Sequence, residues 1–252
     1  MAVCNVISHR GANQVSPQNT IEAFKKAVFF RADGFETDVH LTSDGVPVIC
    51  HNYTIDKTSN GKGAIASNTL DYLKRFDFGS YFHHSYKGTE IPTLDEFLKL
   101  SARANLKVLN IEIKSPKSKD YIIADKIIEA VKEYGLFDTL LISSFDPDLL
   151  VYIKDYDENC KTAFLYSPDK PITYKQVLGK EVGFAKSIGA DALHPHQLFV
   201  SQELIDEAHE NGIMVNPWTV NREKDITKLV KMGVDGVITD VPNIAKRIIE
   251  SL

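Results

Sequence analysis

The sequence has few cysteines, no excess of positive charge and no long apolar runs, and each of these absences excludes a class of protein. The three cysteines are widely separated and form no CxxC pair, which predicts free thiols in a reducing compartment. Acidic residues (34) outnumber lysine and arginine (29), so the formal net charge is −5. Nucleic-acid binding needs a basic surface that displaces counterions from phosphates, so we expect no nucleic-acid partner.

No apolar run approaches the ~18 residues of a membrane-spanning helix, so we expect no stable membrane insertion. A strand-like apolar run begins almost at the first residue, so we expect no signal peptide. We therefore expect a cytoplasmic protein. Its oligomeric state is left open, because apolar positions on outer helices serve equally as core or as interface.

Short apolar, β-branched runs alternate with amphipathic runs of helical length, which predicts strands and helices in turn. Strands are predicted to end at Ser8 and to span 34–40, 108–113, 140–144, 162–166, 192–194, 214–218 and 236–239, with a further short strand at 46–50. Helices are predicted at 21–29 and 93–104 and near 120–134, 146–156, 173–188, 201–211, 222–232 and 241–251. N-caps are expected at Asn19-Thr20, Thr93, Ser201 and Asn221.

Eight such repeats favour a closed parallel barrel over an open sheet, and barrels of this type commonly run to about 250 residues. The sequence of 252 residues therefore predicts the α/β class, a (β/α)8 TIM barrel, in a single domain over 1–252. Residues 52 to about 92 are polar, dotted with aromatics and weakly periodic. They are too long for an ordinary connection, so we interpret them as a small insertion after the second strand.

Polar side chains gather where the first three predicted barrel strands end. His9 closes the first, while Glu36 and Asp38 share one face of the second because residues two apart point the same way. Glu112 and Lys114 share a face of the third in the same manner. The carboxyl ends of barrel strands form the functional mouth, so we expect these groups to converge there.

Each of these signals also has a simpler explanation. A lone pair of acids is typical of a solvated or salt-bridged strand end, and Glu112 with Lys114 could be an ordinary ion pair. The joint occurrence favours a site, because several buried acids without a cationic partner are costly. Carboxylate oxygens suit a hard divalent ion, so Glu36, Asp38 and Glu112 are candidate ligands for Mg²⁺ or Ca²⁺.

A second imidazole, His51, follows the short strand at 46–50. Two histidines beside a metal could act as base and acid, because the pKa of an unperturbed imidazole lies near 6.5. Arg10 and Lys114 would add fixed positive charge. This combination suits a small anionic substrate, above all a phosphodiester.

An ordered set of short motifs resembles the glycerophosphodiester phosphodiesterase family from end to end. The matching motifs are His9-Arg10-Gly11, Pro17-Gln18-Asn19-Thr20, Glu36-Thr37-Asp38-Val39, Thr42-x-Asp44-Gly45, His51-Asn52, Ile91-Pro92-Thr93-Leu94, Glu112-Ile113-Lys114, Ser144-Phe145, Trp218-Thr219-Val220-Asn221, Gly233-Val234-Asp235-Gly236 and Thr239-Asp240. Any one tripeptide is weak evidence, whereas the ordered set is strong.

The resemblance implies a (β/α)8 barrel with an insertion after the second strand. It implies hydrolysis of a glycerophosphodiester to glycerol 3-phosphate and an alcohol such as choline or ethanolamine. By motif position, it implies that His9 and His51 are the acid–base pair and that Arg10 and Lys114 contact the phosphate. It implies the same three metal ligands, and it places Trp218 as an apolar wall near the glycerol or head group.

The sequence departs from the family pattern at three positions. Gln18 replaces the usual glutamate, which removes a charge at the mouth. Asn52 stands where aspartate is more frequent, which bears on how His51 is oriented. Lys57 stands where arginine is common.

Three other features have simpler explanations. His83 and His84 are expected to be a solvated loop pair rather than a metal site. His194-Pro195-His196 ends a barrel strand and is expected to face the mouth, where a pocket-lining role is open. Four aromatics of the insertion could form a lid or simply pack against the barrel, namely Phe76, Phe78, Tyr81 and Phe82.

Two rival functions stay open. One is cleavage of a bulky phospholipid, although the sequence has no basic amphipathic helix for interfacial binding. The other is a catalytically silent barrel that senses glycerol phosphates. The presence of both histidines argues against it.

Overall fold

Parallel strands alternate with helices in the computed structural model, which describes residues 4–116, 118–168 and 177–252. The strands in these residues are β1 (Asn5–His9), β2 (Gly34–Leu41), β3 (Pro47–Ile49), β4 (Val108–Ile113), β5 (Leu140–Ser144), β6 (Thr162–Tyr166), β7 (Ala192–Pro195), β8 (Met214–Val215) and β9 (Gly236–Thr239). The helices are α1 (Ile21–Phe29), α2 (Leu70–Leu73), α3 (Leu94–Ser101), α4 (Ile122–Glu133), α5 (Pro147–Tyr156), α6 (Glu181–Ser187), α7 (Gln202–Glu210), α8 (Glu223–Met232) and α9 (Pro242–Glu250).

The sheet forms a nearly closed barrel, which confirms the predicted (β/α)8 class. Within the described chain, eight strands run parallel in the order β9-β1-β2-β4-β5-β6-β7-β8, and β3 pairs antiparallel with β2. Backbone hydrogen bonds join the chain after β8 to β9: the Ile238 N–H donates to Pro217 O (3.0 Å) and the Val220 N–H to Ile238 O (2.9 Å). These bonds close the barrel between the two ends of this strand order.

The two faces of β2 carry different chemistry, as the two-residue period predicts. Phe35 faces the helix layer, where its ring lies 5.3 Å from that of Phe24, which is 4.6 Å from Phe97. Burying each ring stabilises the fold by roughly 1.5–3 kcal/mol. The alternate residues Glu36 and Asp38 must then point into the barrel.

Helix N-caps mostly follow the prediction. Thr20 and Ser201 accept hydrogen bonds from the first turns of α1 and α7, and Thr93 forms a capping box with Glu96. The expectation for Asn221 is wrong, because Arg222 precedes α8 and the Asn221 side chain bonds elsewhere.

Some predicted bounds differ from the structure. Strand β8 ends at Val215 rather than at residue 218, because Pro217 has no N–H to continue the ladder. The hydrogen bond from Trp218 N to Pro195 O (3.0 Å) nevertheless keeps this segment beside β7. Of the helix predicted at 173–188, positions 173–176 lie outside the described residues, and α6 begins at Glu181.

Residues 52–92 contain helix α2 and two 3₁₀ turns, and they bury a small apolar cluster of their own with β3. Phe78 lies inside that cluster, and Phe76 packs against it. The Tyr81 hydroxyl accepts a hydrogen bond from Gln18 N (3.2 Å), and Tyr86 donates to Val15 O (2.9 Å), so the segment covers the loop after β1. That it forms an insertion within one domain over 1–252 stays a prediction.

No helix in the described parts of the chain is long and apolar enough to cross a membrane. His83 and His84 are exposed, in agreement with a solvated loop pair.

A fully buried histidine, His194, lies on the inner face of β7. Its Nε2 accepts a hydrogen bond from Asn216 Nδ2 (3.1 Å), and burial lowers its pKa to about 3. In the unfolded chain an imidazole binds a proton near pH 6.5, so the unfolded state takes up more protons between these values. Above pH 6.5 His194 is neutral in both states, so the stability is not reduced. As the pH falls from 6.5 toward 3, protonation of the unfolded chain lowers the free energy of unfolding.

We expect the free energy of unfolding to drop below pH 6.5 by up to about 1.4 kcal/mol per pH unit for this one proton. Urea titrations at pH 7.5, 6 and 5 would measure it. His194→Gln should be less stable at pH 7.5 but should show a smaller loss on acidification. An unchanged pH slope in the variant would contradict the assignment, and the exposed His84→Gln serves as control.

Candidate active site

The predicted polar residues converge at the carboxyl ends of β1, β2 and β4. Register brings His9 beside Glu36 and Asp38 beside Glu112. They border a cavity of about 620 Å³. Its lining includes His9, Arg10, Glu36, His51, Glu112, Lys114 and Trp218. Asp38 is fully buried, and the lining within the described residues does not include it. The structure thus brings all eight predicted site residues into one region.

Three buried carboxylates form the centre of this region. One oxygen from each of Glu36, Asp38 and Glu112 lies within 4.8 Å of the others. Lys114 Nζ lies 2.7 Å from Asp38 Oδ1 and contacts Glu112 Oε1. Arg10 Nε lies 3.2 Å from the second oxygen of Asp38. Two fixed cations are therefore shared among three acids.

The three carboxyl groups differ in pKa because the two cations compensate them unequally. Burial, followed by the charge of Asp38, raises the pKa of Glu36 well above its usual range. Burial also raises the pKa of Glu112. Burial opposes ionisation of Asp38 too, but Lys114 and Arg10 together hold its pKa far below the ordinary value. Asp38 is therefore ionised, while the two glutamates lack full compensation.

This donor set fits a hard divalent cation. Carboxylate oxygens are the preferred ligands of Mg²⁺ and Ca²⁺, and a third cation would compensate Glu36 and Glu112. The oxygens lie close enough together for one ion to reach all three residues.

The two imidazoles that line the cavity have different partners. His9 Nδ1 lies 2.6 Å from Asp240 Oδ1, and its Nε2 is 3.9 Å from Glu36 Oε2. His51 Nδ1 lies 3.0 Å from Asn52 Oδ1. Burial lowers the pKa of both histidines, that of His51 to about 4. The substitution at position 52 thus still supplies an oxygen that orients the second imidazole.

Backbone geometry at the end of β1 aims Arg10 into the site. Arg10 has a left-handed φ of 55°, and its N–H donates to Glu36 Oε2 (3.0 Å). Gly11 follows with φ 76°, and a Cβ there would lie 2.6 Å from the backbone of Ala23. The Arg10 guanidinium donates through Nη1 to Gln18 Oε1 (2.7 Å). The glutamine that replaces the usual acid therefore holds Arg10 without neutralising it.

Aromatic and polar groups form the outer wall of the cavity. Trp218 donates from its indole to His194 O (2.8 Å), and its ring meets that of Phe145 edge-on at 5.9 Å. Opposite charges meet at Asp146, which accepts hydrogen bonds from Lys119 Nζ (2.7 Å) and the Tyr121 hydroxyl (2.9 Å). His194 is absent from the lining of the cavity within the described residues.

No role in the site was predicted for Asp240 and Asn13, which contact His9, or for Asn221, which contacts Asp240. Barrel closure could have predicted the contact of Asp240 with His9. A closed barrel places the end of the last strand beside the end of the first, so Thr239-Asp240 lies next to His9. Asp146 and Lys119 carried no comparable pattern.

Comparison with known proteins decides the family. The family model of the glycerophosphoryl diester phosphodiesterase family matches residues 9–244. This chain belongs to that family. Family membership confirms the resemblance inferred from the motifs and identifies the chain as a member of a hydrolase family.

Similar proteins cover nearly the whole chain. A glycerophosphodiester phosphodiesterase of Caldanaerobacter subterraneus subsp. tengcongensis is 39% identical over 94% of both chains. A putative glycerophosphoryl diester phosphodiesterase of Silicibacter pomeroyi has a TM-score of 0.88 and 28% identity, covering 99% of this chain and 94% of its own. An Oleispira antarctica phosphodiesterase, solved with the product sn-glycerol-3-phosphate, has a TM-score of 0.87 and 28% identity, covering 98% and 97%.

Replacing Lys114 by methionine should lower the free energy of unfolding by about 3–5 kcal/mol in chelator-treated protein, because Asp38 and Glu112 would lose their shared cation. Urea denaturation would measure this. Lys119→Met is the matched control: it removes an exposed cation from Asp146 and should cost about 1 kcal/mol or less. Equal losses in the two variants would show that Lys114 does not balance the buried acids.

Proposed function

We propose that this chain hydrolyses glycerophosphodiesters to glycerol 3-phosphate and an alcohol, within glycerophospholipid breakdown. The observation that carries the proposal is the cluster of three buried carboxylates beside a cavity that two oriented imidazoles line. The family relationship supports the substrate class, as does the product bound by the Oleispira antarctica relative.

The charges around the cavity support an anionic substrate together with a divalent ion. Glu36, Asp38 and Glu112 outnumber the cations Arg10 and Lys114 by one negative charge. A divalent ion would reverse the excess among these five residues to one positive charge, which attracts a phosphodiester monoanion. Desolvated charges are favourable only when balanced, so ion and substrate should bind together.

In the proposed mechanism, Glu36, Asp38 and Glu112 hold Mg²⁺ or Ca²⁺. The bound ion would supply Lewis-acid charge to a phosphate oxygen and acidify the attacking hydroxyl or water. Arg10 and Lys114 contact the phosphate and stabilise the charge that grows on its oxygens. Lys114 is suited to this because Asp38 and Glu112 raise its pKa against the effect of burial, so it stays protonated.

His9 and His51 move the protons in this proposal. One takes the proton of the nucleophile and the other protonates the leaving alcohol. If a glycerol hydroxyl attacks, a cyclic phosphate forms, and the two histidines exchange roles when water opens it. If water attacks directly, no cyclic phosphate appears. Trp218 lines the wall of the same cavity and would face the glycerol or the head group.

His9→Ala and His51→Ala should each lower kcat by at least about 100-fold on glycerophosphocholine, the range for a general acid or base. A p-nitrophenyl ester of glycerol phosphate has a leaving group that needs no proton. The variant that lacks the acid should therefore lose much less on this ester than the variant that lacks the base. His84→Ala, in an exposed loop, is the control. Near-normal turnover of glycerophosphocholine in either active-site variant would refute the acid–base assignment.

Release of glycerol 3-phosphate from glycerophosphocholine, glycerophosphoethanolamine and lysophosphatidylcholine tests the proposed activity. We expect hydrolysis of the first two, loss of activity in excess chelator, and recovery with Mg²⁺ or Ca²⁺. Glu36→Gln should weaken binding of either ion in calorimetry. Undiminished hydrolysis in chelator would overturn the metal requirement.

The same assay separates the rival functions. Preference for lysophosphatidylcholine would indicate cleavage of a bulky phospholipid, and ligand binding without hydrolysis would indicate a silent sensor. The cytoplasmic location stays a prediction, and oligomeric state is left open.

A further inference from the structure

A second polar network, outside the carboxylate cluster, surrounds the Nδ1 side of His9. Asp240 Oδ1 contacts His9 Nδ1 at 2.6 Å and accepts a hydrogen bond from Asn13 Nδ2 at 2.7 Å. The second oxygen of Asp240 accepts from Asn221 Nδ2 at 2.6 Å. Asn13 also donates to the carbonyl of His9 (3.0 Å). Loops after β1, β8 and β9 thus meet at one carboxylate.

The orientation of Asn221 is fixed by its other bonds. Its Oδ1 accepts from the backbone N–H of Asp240 (2.9 Å) and from the Thr239 hydroxyl (3.2 Å). Its amide nitrogen therefore faces the carboxylate and donates to it. Asn13 and Asn221 both donate to the Asp240 side chain, so position 240 needs a group that only accepts hydrogen bonds. An ionised carboxylate is such a group.

These contacts determine which nitrogen of His9 carries the proton. Burial alone would raise the pKa of Asp240, but the hydrogen bonds from His9, Asn221 and Asn13 lower it. An ionised Asp240 can only accept, so His9 Nδ1 must donate. In neutral His9 the other nitrogen, Nε2, then has a free lone pair. It lies 3.9 Å from Glu36 Oε2, toward the carboxylate cluster.

We propose that Asp240 is the positioning residue of His9: with Asn13 and Asn221, it fixes the Nδ1–H tautomer and keeps Nε2 directed at the reacting groups. The proposal rests on the function proposed above. Asp240 itself touches neither ion nor substrate in this scheme. It acts through His9, in the way that a second partner commonly orients a working imidazole.

His51 provides an internal comparison. Its Nδ1 has the same kind of contact, with Asn52 Oδ1 at 3.0 Å, but this partner carries no charge. Both histidines are thus held through Nδ1, and only His9 is held by a carboxylate. A protonated His9 would be stabilised by Asp240 in a way that Asn52 does not offer to His51.

The chain also offers a matched control at the other end of β9. Asp235 precedes this strand, and its Oδ2 lies 2.9 Å from His209 Nε2 and accepts from Val215 N (2.7 Å). Asp240 and Asp235 thus flank the same strand, and each contacts one histidine. Only Asp240 lies at the carboxyl end, where the cavity opens.

The test combines kinetics with ¹⁵N NMR of histidine-labelled protein, in which two-bond correlations identify the tautomer of each imidazole. His9 signals are assigned from their loss in His9→Gln. In the unsubstituted protein we expect His9 protonated at Nδ1. In Asp240→Ala we expect a mixture of tautomers and a kcat on glycerophosphocholine lowered by about 10- to 100-fold. KM should change by less than about threefold, because substrate contacts remain.

Asp240→Asn keeps one acceptor oxygen that can face His9, but its amide nitrogen then meets the donor nitrogen of Asn221. It should therefore restore the Nδ1–H tautomer and kcat only in part. Asp235→Ala should leave kcat and the His9 signals unchanged per folded molecule. A fall in kcat without a change of His9 tautomer, or an equal fall in Asp235→Ala, would overturn the proposal.

The spectrum of the unsubstituted protein decides the matter even if the Asp240 variants fail to fold, because a His9 protonated at Nε2 is incompatible with the proposal. Absence of hydrolysis in a protein whose His9 shows the expected Nδ1–H tautomer would instead count against the proposed function alone.

Discussion

The site depends on a balance between three buried carboxylates and two buried cations. Asp38 is ionised because Lys114 and Arg10 both contact it, and the same two residues are the cations available to Glu36 and Glu112. Removing charges from water is unfavourable unless they are paired, so this arrangement is incomplete without further positive charge. The excess of acid that makes the cluster costly is also what makes it suited to a divalent ion.

The barrel supplies the precision that this balance requires. Parallel register sets His9 beside Glu36 and Asp38 beside Glu112, and the two-residue period sends the intervening apolar side chains outward into the helix layer. Because the three carboxylates stand on strands rather than on loops, their positions are fixed by the hydrogen bonds of the sheet. The loops add contacts that orient the other site residues: Gln18 holds the Arg10 guanidinium, and Asn52 orients His51.

Two departures from the family pattern are consistent with a working site. Gln18 keeps a hydrogen bond to Arg10 where an acid would form an ion pair, so the cation retains its full charge toward the cavity. Asn52 supplies an oxygen to His51 Nδ1, as an aspartate would, but without its charge. The two imidazoles of the cavity therefore differ in the charge of their partners, which gives them different tendencies to hold a proton.

The sequence by itself determined the class of fold, the family and the residues that meet at the mouth, because strand periodicity and motif order are local properties of the chain. It predicted the convergence of Glu36, Asp38 and Glu112 because neighbouring strand ends of a barrel must lie together. It did not predict that Lys114 contacts both Asp38 and Glu112. Nor did it predict that His194 is enclosed rather than lining the cavity, or that Asn221 bonds Asp240 instead of capping helix α8. Those outcomes depend on distances between residues far apart in the chain, such as the 2.6 Å between His9 and Asp240, and only the closing of the barrel sets them.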